Sequence, residues 1–149
     1  MSRTGLARLY VAIAALALIA TWRQNIWFLL EGERGVAGGL VDFWPALLAN
    51  RATTSITVDI FLFGLAAVIW MVLEARRLEI RWVWAYVLLS FAIAISVTFP
   101  LFLAAREHRL AALAAPEGGG QVRLPPRDLV GLALLGAPIV AFSLYSLVR

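Results

Sequence analysis

Four long apolar stretches alternate with short polar segments along the chain, at about residues 6–21, 53–73, 82–105 and 129–148, and the first can be extended to residue 30. An α-helix of roughly 20 residues is long enough to cross a hydrocarbon core of about 30 Å. The apolar residues run continuously instead of alternating with polar ones, which favours helices over the strands of a membrane barrel. They also cover all sides of each helix, which disfavours the alternative of a water-soluble bundle. The pattern therefore predicts an all-α integral membrane protein, a four-helix bundle.

The connection between the first two stretches contains four glycines and several charges from Glu31 to Gly39. This composition predicts a turn-rich break. Asp42 follows as a candidate N-cap of a short helix that has Pro45 in its first turn. Because apolar residues surround Pro45, we expect a short interfacial helix that lies along the membrane surface between spans one and two.

A tight charged hairpin at residues 74–81 joins the second and third stretches. So short a connection predicts that these two helices are antiparallel neighbours. Glu74 is three residues from Arg77 and can pair with it along the helix, and Glu79 can pair with Arg76 across the turn. We interpret this interfacial charged hairpin as charges that extend from the membrane surface into water, in preference to a binding site. Its charged residues include Glu74, Arg76, Arg77 and Arg81.

The chain divides into three predicted parts. Residues 1–115 form a three-span core, residues 116–128 form a linker rich in Pro and Gly, and residues 129–149 form a fourth transmembrane helix. Asp128 is the expected N-cap of this fourth helix.

Two prolines lie inside predicted spans, Pro100 in the third and Pro138 in the fourth. Each removes a backbone N–H from its helix and crowds the preceding turn, so each predicts a helix kink. The kink caused by Pro100 is expected near Ser96, where it would either open a cavity beside the second span or adjust the packing.

The composition agrees with a membrane location and excludes several kinds of site. Of the 149 residues, 62% are hydrophobic and only 15% are charged, too few to cover a water-soluble domain. The absence of Cys excludes a thiolate metal site, and a single His excludes a His-cluster metal centre. His108 stands in a charged run, which disfavours it as a haem or chlorin ligand, so no cofactor is predicted. No basic stretch is interleaved with aromatic residues as in nucleic-acid-binding proteins.

The basic residues, all thirteen of them Arg, do not fix the orientation. Cytoplasmic loops of membrane proteins carry an excess of Arg and Lys. Four crossings would place six Arg on the side of the N-terminus and seven on the other side. We prefer N-in and C-in in the cytoplasmic membrane, because the charged hairpin is the densest basic site. The near-balance also fits insertion in both orientations.

One acidic residue, Asp59, lies inside the second predicted span. A carboxylate at the centre of a membrane helix costs about 2.5–3.5 kcal/mol and less near its ends, so Asp59 should face other helices. Ser55 lies one turn earlier, and antiparallel packing brings Ser96 and Thr98 to a similar depth. Together with Asn50 at the start of the helix, they form a candidate polar intramembrane cluster: Asn50, Ser55, Asp59, Ser96 and Thr98. We favour a hydrogen-bonded lock between helices over a substrate, lipid or proton site, and we assign no catalytic residue.

Several of these residues form a known pattern. Asn50, Ser55 and Asp59 open one helix, an acidic–Arg hairpin follows at residues 74–77, and a stretch from Ser96 contains Pro-Leu-Phe-Leu and ends in Arg106-Glu107. In this pattern, and in Trp84, the chain resembles small bacterial multi-pass membrane proteins of the family "domain of unknown function 2834". The resemblance covers roughly residues 9–109. It implies a bacterial membrane location and three core spans, with no assigned activity, and it leaves the fourth span as an added C-terminal helix.

Three functions stay open at the level of the sequence, and we favour a non-catalytic accessory or assembly subunit of a larger membrane complex. Small size favours it, as do small residues spaced four apart, which suit packing on other subunits or in a homo-oligomer. An alternative is a lipid- or small-lipophile-binding protein, an isomerase or transporter, that uses Asp59. A third is an antiparallel dimeric exporter, although small multidrug exporters carry their acidic residue in the first span. The small residues are Ser90, Ala94 and Thr98 in the third span and Ala133, Ala137 and Ala141 in the fourth.

Overall fold

The computed structural model describes residues 1–31, 35–114 and 124–148, and its elements over these ranges are α-helices. Three of them, α1, α3 and α6, contain 29, 27 and 21 residues and are each long and apolar enough to cross a membrane. The predicted all-α class is therefore confirmed, and a bundle of four spanning helices is not. In chain order the helices are α1 (Arg3–Glu31), α2 (Gly35–Ala46), α3 (Arg51–Arg77), α4 (Val83–Ala92), α5 (Ile95–Leu113) and α6 (Pro126–Ser146).

The third apolar stretch folds back on itself instead of forming one helix. The rings of Tyr86 and Phe102 meet edge to face with centroids 5.7 Å apart. In a continuous helix, sixteen residues would separate them by about 24 Å along the axis. The chain reverses at Ile93 and Ala94, where Ala94 has an extended backbone (φ 177°, ψ 145°). We call the resulting antiparallel pair of α4 and α5 the helical hairpin.

The helical hairpin corrects the prediction of a single span from about residue 82 to 105. Its first arm, α4, contains ten residues and rises about 15 Å, half the thickness of a hydrocarbon core. Pro100 leaves the carbonyl of Ser96 without its usual helical donor, and the chain breaks just before Ser96, where a kink was expected. Packing of the two arms compensates for the break, because it buries Phe102 and Thr98.

Contacts at one end of the helices fix their directions. Arg3 at the start of α1 pairs with Glu107 in α5, and Glu74 at the end of α3 pairs with Arg106. We call this the arginine-rich end, because eight of the ten Arg in the described ranges lie in its helix ends and turns. They are Arg3, Arg8, Arg76, Arg77, Arg81, Arg106, Arg109 and Arg127, and the other two are Arg23 and Arg51.

The two termini of the described chain lie at opposite ends of the molecule. The backbone carbonyl of Ser146, the last residue of α6, accepts hydrogen bonds from Arg23 and Gln24. Arg23 is about 30 Å along α1 from Arg3. The sequence predicted both termini on one side of the membrane. The helical hairpin is the reason for the difference, since it returns the chain to the end from which it came.

The glycine-rich segment after α1 is helical where it is described, so the predicted break from Glu31 to Gly39 is wrong there. α2 begins at Gly35, which leaves Asp42 inside the helix and Pro45 in its last turn. The physical reason is close packing, because a Cβ added to Gly39 would lie 3.0 Å from the Cα of Leu29 in α1. Here glycine allows two helices to approach. Residues 32–34 of the predicted break lie outside the described residues.

The fourth apolar stretch forms α6, which begins three residues before the predicted start. Pro125 is the N-cap and Pro126 the first helical residue, so Asp128 lies in the first turn and does not cap the helix. Proline suits this position, since its missing N–H would have no helical partner there. The helix continues through Pro138, and none of its residues is buried. Most of the predicted linker, residues 116–123, lies outside the described residues.

The hydrophobic core is small and lies toward the arginine-rich end. Met71 and Ala75 of α3 pack with Val83 of α4 and Phe102 of α5, and all four side chains are buried. Trp70 adds an edge-to-face contact with Phe102. The opposite, N-terminal half of α3 contributes nothing to this core. Its large apolar side chains are exposed, namely Ile56, Val58, Ile60, Phe61, Leu62 and Phe63.

Candidate functional site

Glu74 is the first of two buried carboxylates in an ionic network that joins three helices. It is only 7% exposed. Its carboxylate accepts hydrogen bonds from Nε and Nη2 of Arg77, at 2.7 and 2.6 Å, and from Nε of Arg106, at 2.6 Å. The Arg77 contact is local, whereas the Arg106 contact joins α3 to α5.

Glu107 is the second buried carboxylate of the network and is 3% exposed. It accepts hydrogen bonds from Nη1 of Arg106 at 2.6 Å and from Nη1 of Arg3 at 2.8 Å. Arg106 therefore bridges the two carboxylates. Its guanidinium also lies 5.8 Å from the ring centroid of Trp70, within range of a cation–π interaction.

Arg109 of α5 donates hydrogen bonds to the turn between α3 and α4. Its Nε donates to the backbone carbonyl of Leu78, the C-cap of α3, at 2.8 Å. Its Nη2 lies 3.1 Å from the carboxylate of Glu79. Glu79 thus pairs with Arg109 and not with Arg76. A cation at the end of a helix also interacts favourably with its unpaired carbonyls.

The network forms a structural lock and offers no free base. Both oxygens of Glu74 and both oxygens of Glu107 already accept from guanidinium groups. Buried pairs of this kind are costly to break, because removal of one partner leaves a buried charge alone. Arg106 and Glu107 stand in a run of charged residues, a pattern that predicts exposure to water and not burial. The Arg-Glu that ends the family pattern is the signal that points to them.

The five residues of the predicted polar cluster take separate places. The Asn50 side chain caps α3 by accepting from the backbone N–H groups of Ala52 and Thr53, at 2.9 and 3.0 Å. The capping box is completed by Thr53, whose hydroxyl accepts from the backbone N–H of Asn50. Ser55, Asp59 and Ser96 are exposed, whereas Thr98 is buried. Across the described ranges, no hydrogen bond joins any two members of the cluster.

Thr98 belongs instead to the inside of the helical hairpin. Its hydroxyl is hydrogen-bonded to the hydroxyl of Ser90 in the other arm and lies 3.3 Å from the carbonyl of Ala94. At the tip, the indole N–H of Trp22 in α1 donates to the carbonyl of Ile93 at 3.2 Å. These bonds satisfy polar groups where the backbone leaves the helical conformation, as an apolar environment requires.

Asp59 is an exposed carboxylate on an apolar part of α3. It makes no hydrogen bond or ion pair with any residue in the described ranges. Gly64, five residues further along α3, lies beside Ile95 at the hairpin tip, so Asp59 is about 7.5 Å beyond the tip. Its neighbours one turn away, Ile56 and Phe63, are exposed as well.

The remaining candidate residues do not extend the site. Pro100 is buried in α5, and Pro138 is exposed in α6. Arg76 and Arg81 are exposed in the charged hairpin. His108 is exposed on α5. In the part of the chain that the structure describes, no three His, Asp or Glu residues lie close enough to hold a metal ion.

Comparison with known proteins gives a family and no further relative. No curated protein and no solved structure matches the chain. One family model, "Protein of unknown function DUF2834", matches residues 9–108, from the first turns of α1 to α5. That range includes Asp59, the helical hairpin and most of the ionic network, and it stops before α6. Because the match covers most of the 149 residues, the chain belongs to the DUF2834 family.

Proposed function

We propose that the protein is a non-catalytic subunit of a larger assembly in the bacterial cytoplasmic membrane. In this proposal α1, α3 and α6 cross the bilayer, and the helical hairpin enters it from one side and returns. The depth of about 15 Å reached by α4 supports a re-entrant hairpin, since a crossing needs about 30 Å. The observation that carries the proposed role is Asp59, which lies on an exposed apolar face and has no partner among the residues that the structure describes.

The arginine-rich end faces the cytoplasm in this proposal, with the N-terminus inside and the C-terminal end of α6 outside. The distribution of Arg supports this orientation, because eight of the ten Arg in the described ranges lie at that end. Such an excess is typical of the cytoplasmic side. The even split of Arg inferred from four crossings arises only if the third apolar stretch crosses the membrane.

Asp59 requires a partner that the described chain does not supply. It follows the start of α3 by eight residues, about 12 Å along the helix, and this distance supports a position below the membrane surface. A carboxylate at membrane depth is costly unless it pairs with a cation or a hydrogen-bond donor. We therefore infer that a helix of another subunit packs on this face and presents an Arg, a Lys or another donor to Asp59.

α6 supplies a second face that suits packing against another subunit. The carbonyl of Ser146 at its end accepts hydrogen bonds from α1, and none of its residues is buried. A Cβ added to Gly131 or Gly136 would meet nothing within 4 Å. Small residues let membrane helices approach closely, so the exposed Ala133, Ala137 and Ala141 support the same role.

Photo-crosslinking in native membranes tests this proposal. A photoreactive residue replaces Leu62, which lies three residues from Asp59 on the same side of α3, or replaces Phe91, an exposed residue of the helical hairpin that serves as control. We expect one adduct of defined mass from position 62 and none from position 91. Sequencing of the adduct should identify an apolar helix with a basic or donor residue near the crosslink.

The variant Asp59→Leu separates a role in assembly from a role in folding. It should lower the yield of the adduct at least about tenfold, because a buried donor loses its acceptor. It should not lower the unfolding temperature of the purified chain, since Asp59 has no partner among the described residues. An adduct that persists in Asp59→Leu would refute the proposal, and an adduct of twice the chain mass would replace it with a homo-oligomer.

One observation favours the alternative of a lipid- or small-lipophile-binding protein. In the described ranges α1 and α3 make no close backbone contact, so α1 leaves the exposed Asp59 uncovered. A small lipophile bound there should co-purify with the protein, be detected by mass spectrometry, and be lost in Asp59→Asn. Ligand-free protein that retains its crosslinked partner would exclude this alternative.

A further inference from the structure

A groove lies at the arginine-rich end, between the end of α3 and the start of α4. It is open to the surroundings and has charged side chains at its rim and apolar residues at its base. It is separate from the Asp59 face, and its lining begins at Ala75, the residue after Glu74. Its lining residues include Arg76, Glu79, Ile80, Arg81, Trp82 and Trp84.

Arg76 and Arg81 are the distinctive charges of this groove. Neither makes a side-chain hydrogen bond or an ion pair with any residue in the described ranges, and both are exposed. By contrast, Arg77 and Arg106 are engaged by buried carboxylates. The acidic residue of the groove, Glu79, pairs with Arg109 at 3.1 Å and not with Arg76 or Arg81. Two guanidinium groups are therefore available to an anion.

Trp82 and Trp84 place the groove at the depth of lipid headgroups. They are 78% and 55% exposed, and they stand at the start of an apolar helix. Exposed Trp at this position is typical of the membrane–water interface. The turn holds Trp82 outward through left-handed backbone at Glu79 (φ 55°) and Trp82 (φ 65°), conformations that residues other than glycine seldom adopt.

We propose that this groove binds the headgroup of an anionic glycerophospholipid from the surrounding leaflet. Arg76 and Arg81 donate hydrogen bonds to the phosphate, since the planar guanidinium matches phosphate oxygens well. Trp82 and Trp84 lie along the glycerol and the first carbons of the acyl chains. A lipid fits better than a free anion, because the base of the groove is apolar and continues toward α4. This inference does not depend on the proposed role in assembly.

Native mass spectrometry of the full chain in mild detergent tests the inference. Phosphatidylglycerol and phosphatidylcholine are added at equal concentration, and the lipids retained by the protein are counted. We expect a preference of about tenfold or more for phosphatidylglycerol, as two basic residues near a charged headgroup would give. The double variant Arg76→Gln, Arg81→Gln should lose this preference.

A matched double variant, Arg8→Gln with Arg127→Gln, removes two exposed Arg from the same end outside the groove. It should keep the preference of the unmodified chain. Equal losses in both double variants would show a general effect of positive charge and overturn the groove assignment. A preference for phosphatidylglycerol that survives in the double variant Arg76→Gln, Arg81→Gln would also overturn the groove assignment. Displacement of the lipid by millimolar inorganic phosphate would assign the groove to a free anion instead.

Folding does not obscure the result, because neither Arg76 nor Arg81 has an ion pair to lose within the described ranges. A second measurement uses phosphatidylglycerol with brominated acyl chains, which quenches nearby Trp fluorescence. The quenching should fall in Trp82→Phe, with Trp27→Phe as a control at an exposed Trp in α1. Quenching that is equal in both variants would place the lipid elsewhere.

Discussion

The Glu74 carboxylate and the Arg106 guanidinium lie 2.6 Å apart, although thirty-two residues separate them along the chain. This contact holds the end of α3 against α5, and Arg106 continues to Glu107 and through it to Arg3 in α1. These contacts join α1, α3 and α5, and they therefore hold the helical hairpin in its position. The ionic network therefore holds these three helices together at the arginine-rich end.

Replacement of Arg106 should destabilise the protein more than replacement of any unpaired Arg. Arg106→Gln leaves Glu74 and Glu107 with one fewer cation each, and we expect a loss of about 2–3 kcal/mol in the free energy of unfolding. This lies below the ~3–5 kcal/mol of a fully buried pair, because the Arg106 side chain is 24% exposed. Thermal unfolding in detergent measures it.

The control for this prediction is Arg76→Gln in the same region, which should change the stability by less than about 0.5 kcal/mol, as is usual for an unpaired surface residue. A double-mutant cycle with Glu74→Gln would isolate the contribution of the pair. Equal stabilities of Arg106→Gln and the unmodified chain would contradict a stabilising role of the ionic network.

The reversal at Ile93 and Ala94 predicts a disulfide that one continuous helix could not form. The side chains of Ser90 and Thr98 meet across the helical hairpin. The chain has no Cys, so Ser90→Cys with Thr98→Cys introduces a single pair. We expect this pair to oxidise readily. A continuous helix would hold the two Cα atoms about 12 Å apart, beyond the limit of about 7 Å for a disulfide.

Leu88→Cys with Thr98→Cys is the matched control for the disulfide, because Leu88 is exposed on the outer side of α4. This pair should stay reduced under the same conditions. A maleimide that adds mass to free thiols distinguishes the two states on a gel. If Ser90→Cys with Thr98→Cys also stayed reduced, the third apolar stretch would be a single helix.

The long helices follow from the sequence because each can satisfy its own backbone hydrogen bonds in an apolar environment. α1, α3 and α6 lie close to the predicted apolar stretches for this reason. The helical hairpin does not follow from the sequence. An apolar stretch has the same composition whether it crosses once or turns halfway, and neither a glycine nor a charge marks Ile93 and Ala94.

The candidate site shows the same division between local and long-range information. Asn50 caps α3, a role that depends only on its own residue type and its immediate neighbours. The burial of Glu107 depends on the packing of α1 and α3 beside α5, which no local sequence pattern predicts. Thr98 pairs with Ser90 only because the chain reverses between them. Residue types indicated where polar groups lie, and packing decided which of them meet.

The contact between α1 and α2 predicts opposite effects for two glycine substitutions. A Cβ at Gly39 would lie 3.0 Å from the Cα of Leu29, so Gly39→Ala should cost about 1–2 kcal/mol after its better helix propensity is included. Gly136→Ala in α6 meets nothing within 4 Å and should stabilise the helix by up to about 1 kcal/mol. Thermal unfolding should give shifts of opposite sign, and shifts of the same sign would contradict the close packing at Gly39.

Labelling of single cysteines predicts the side on which each end of the chain lies. Ser2→Cys and Arg81→Cys should react with a membrane-impermeant maleimide only in inverted vesicles, and Val148→Cys only in intact spheroplasts. The Val148 position decides the result, because a crossing by the third apolar stretch would move it to the side of Ser2 while leaving Arg81 in place. Reaction of all three positions from both sides would indicate insertion in two orientations. Reaction of Val148→Cys together with Ser2→Cys would instead restore four crossings, and with them the even split of Arg that leaves the orientation open.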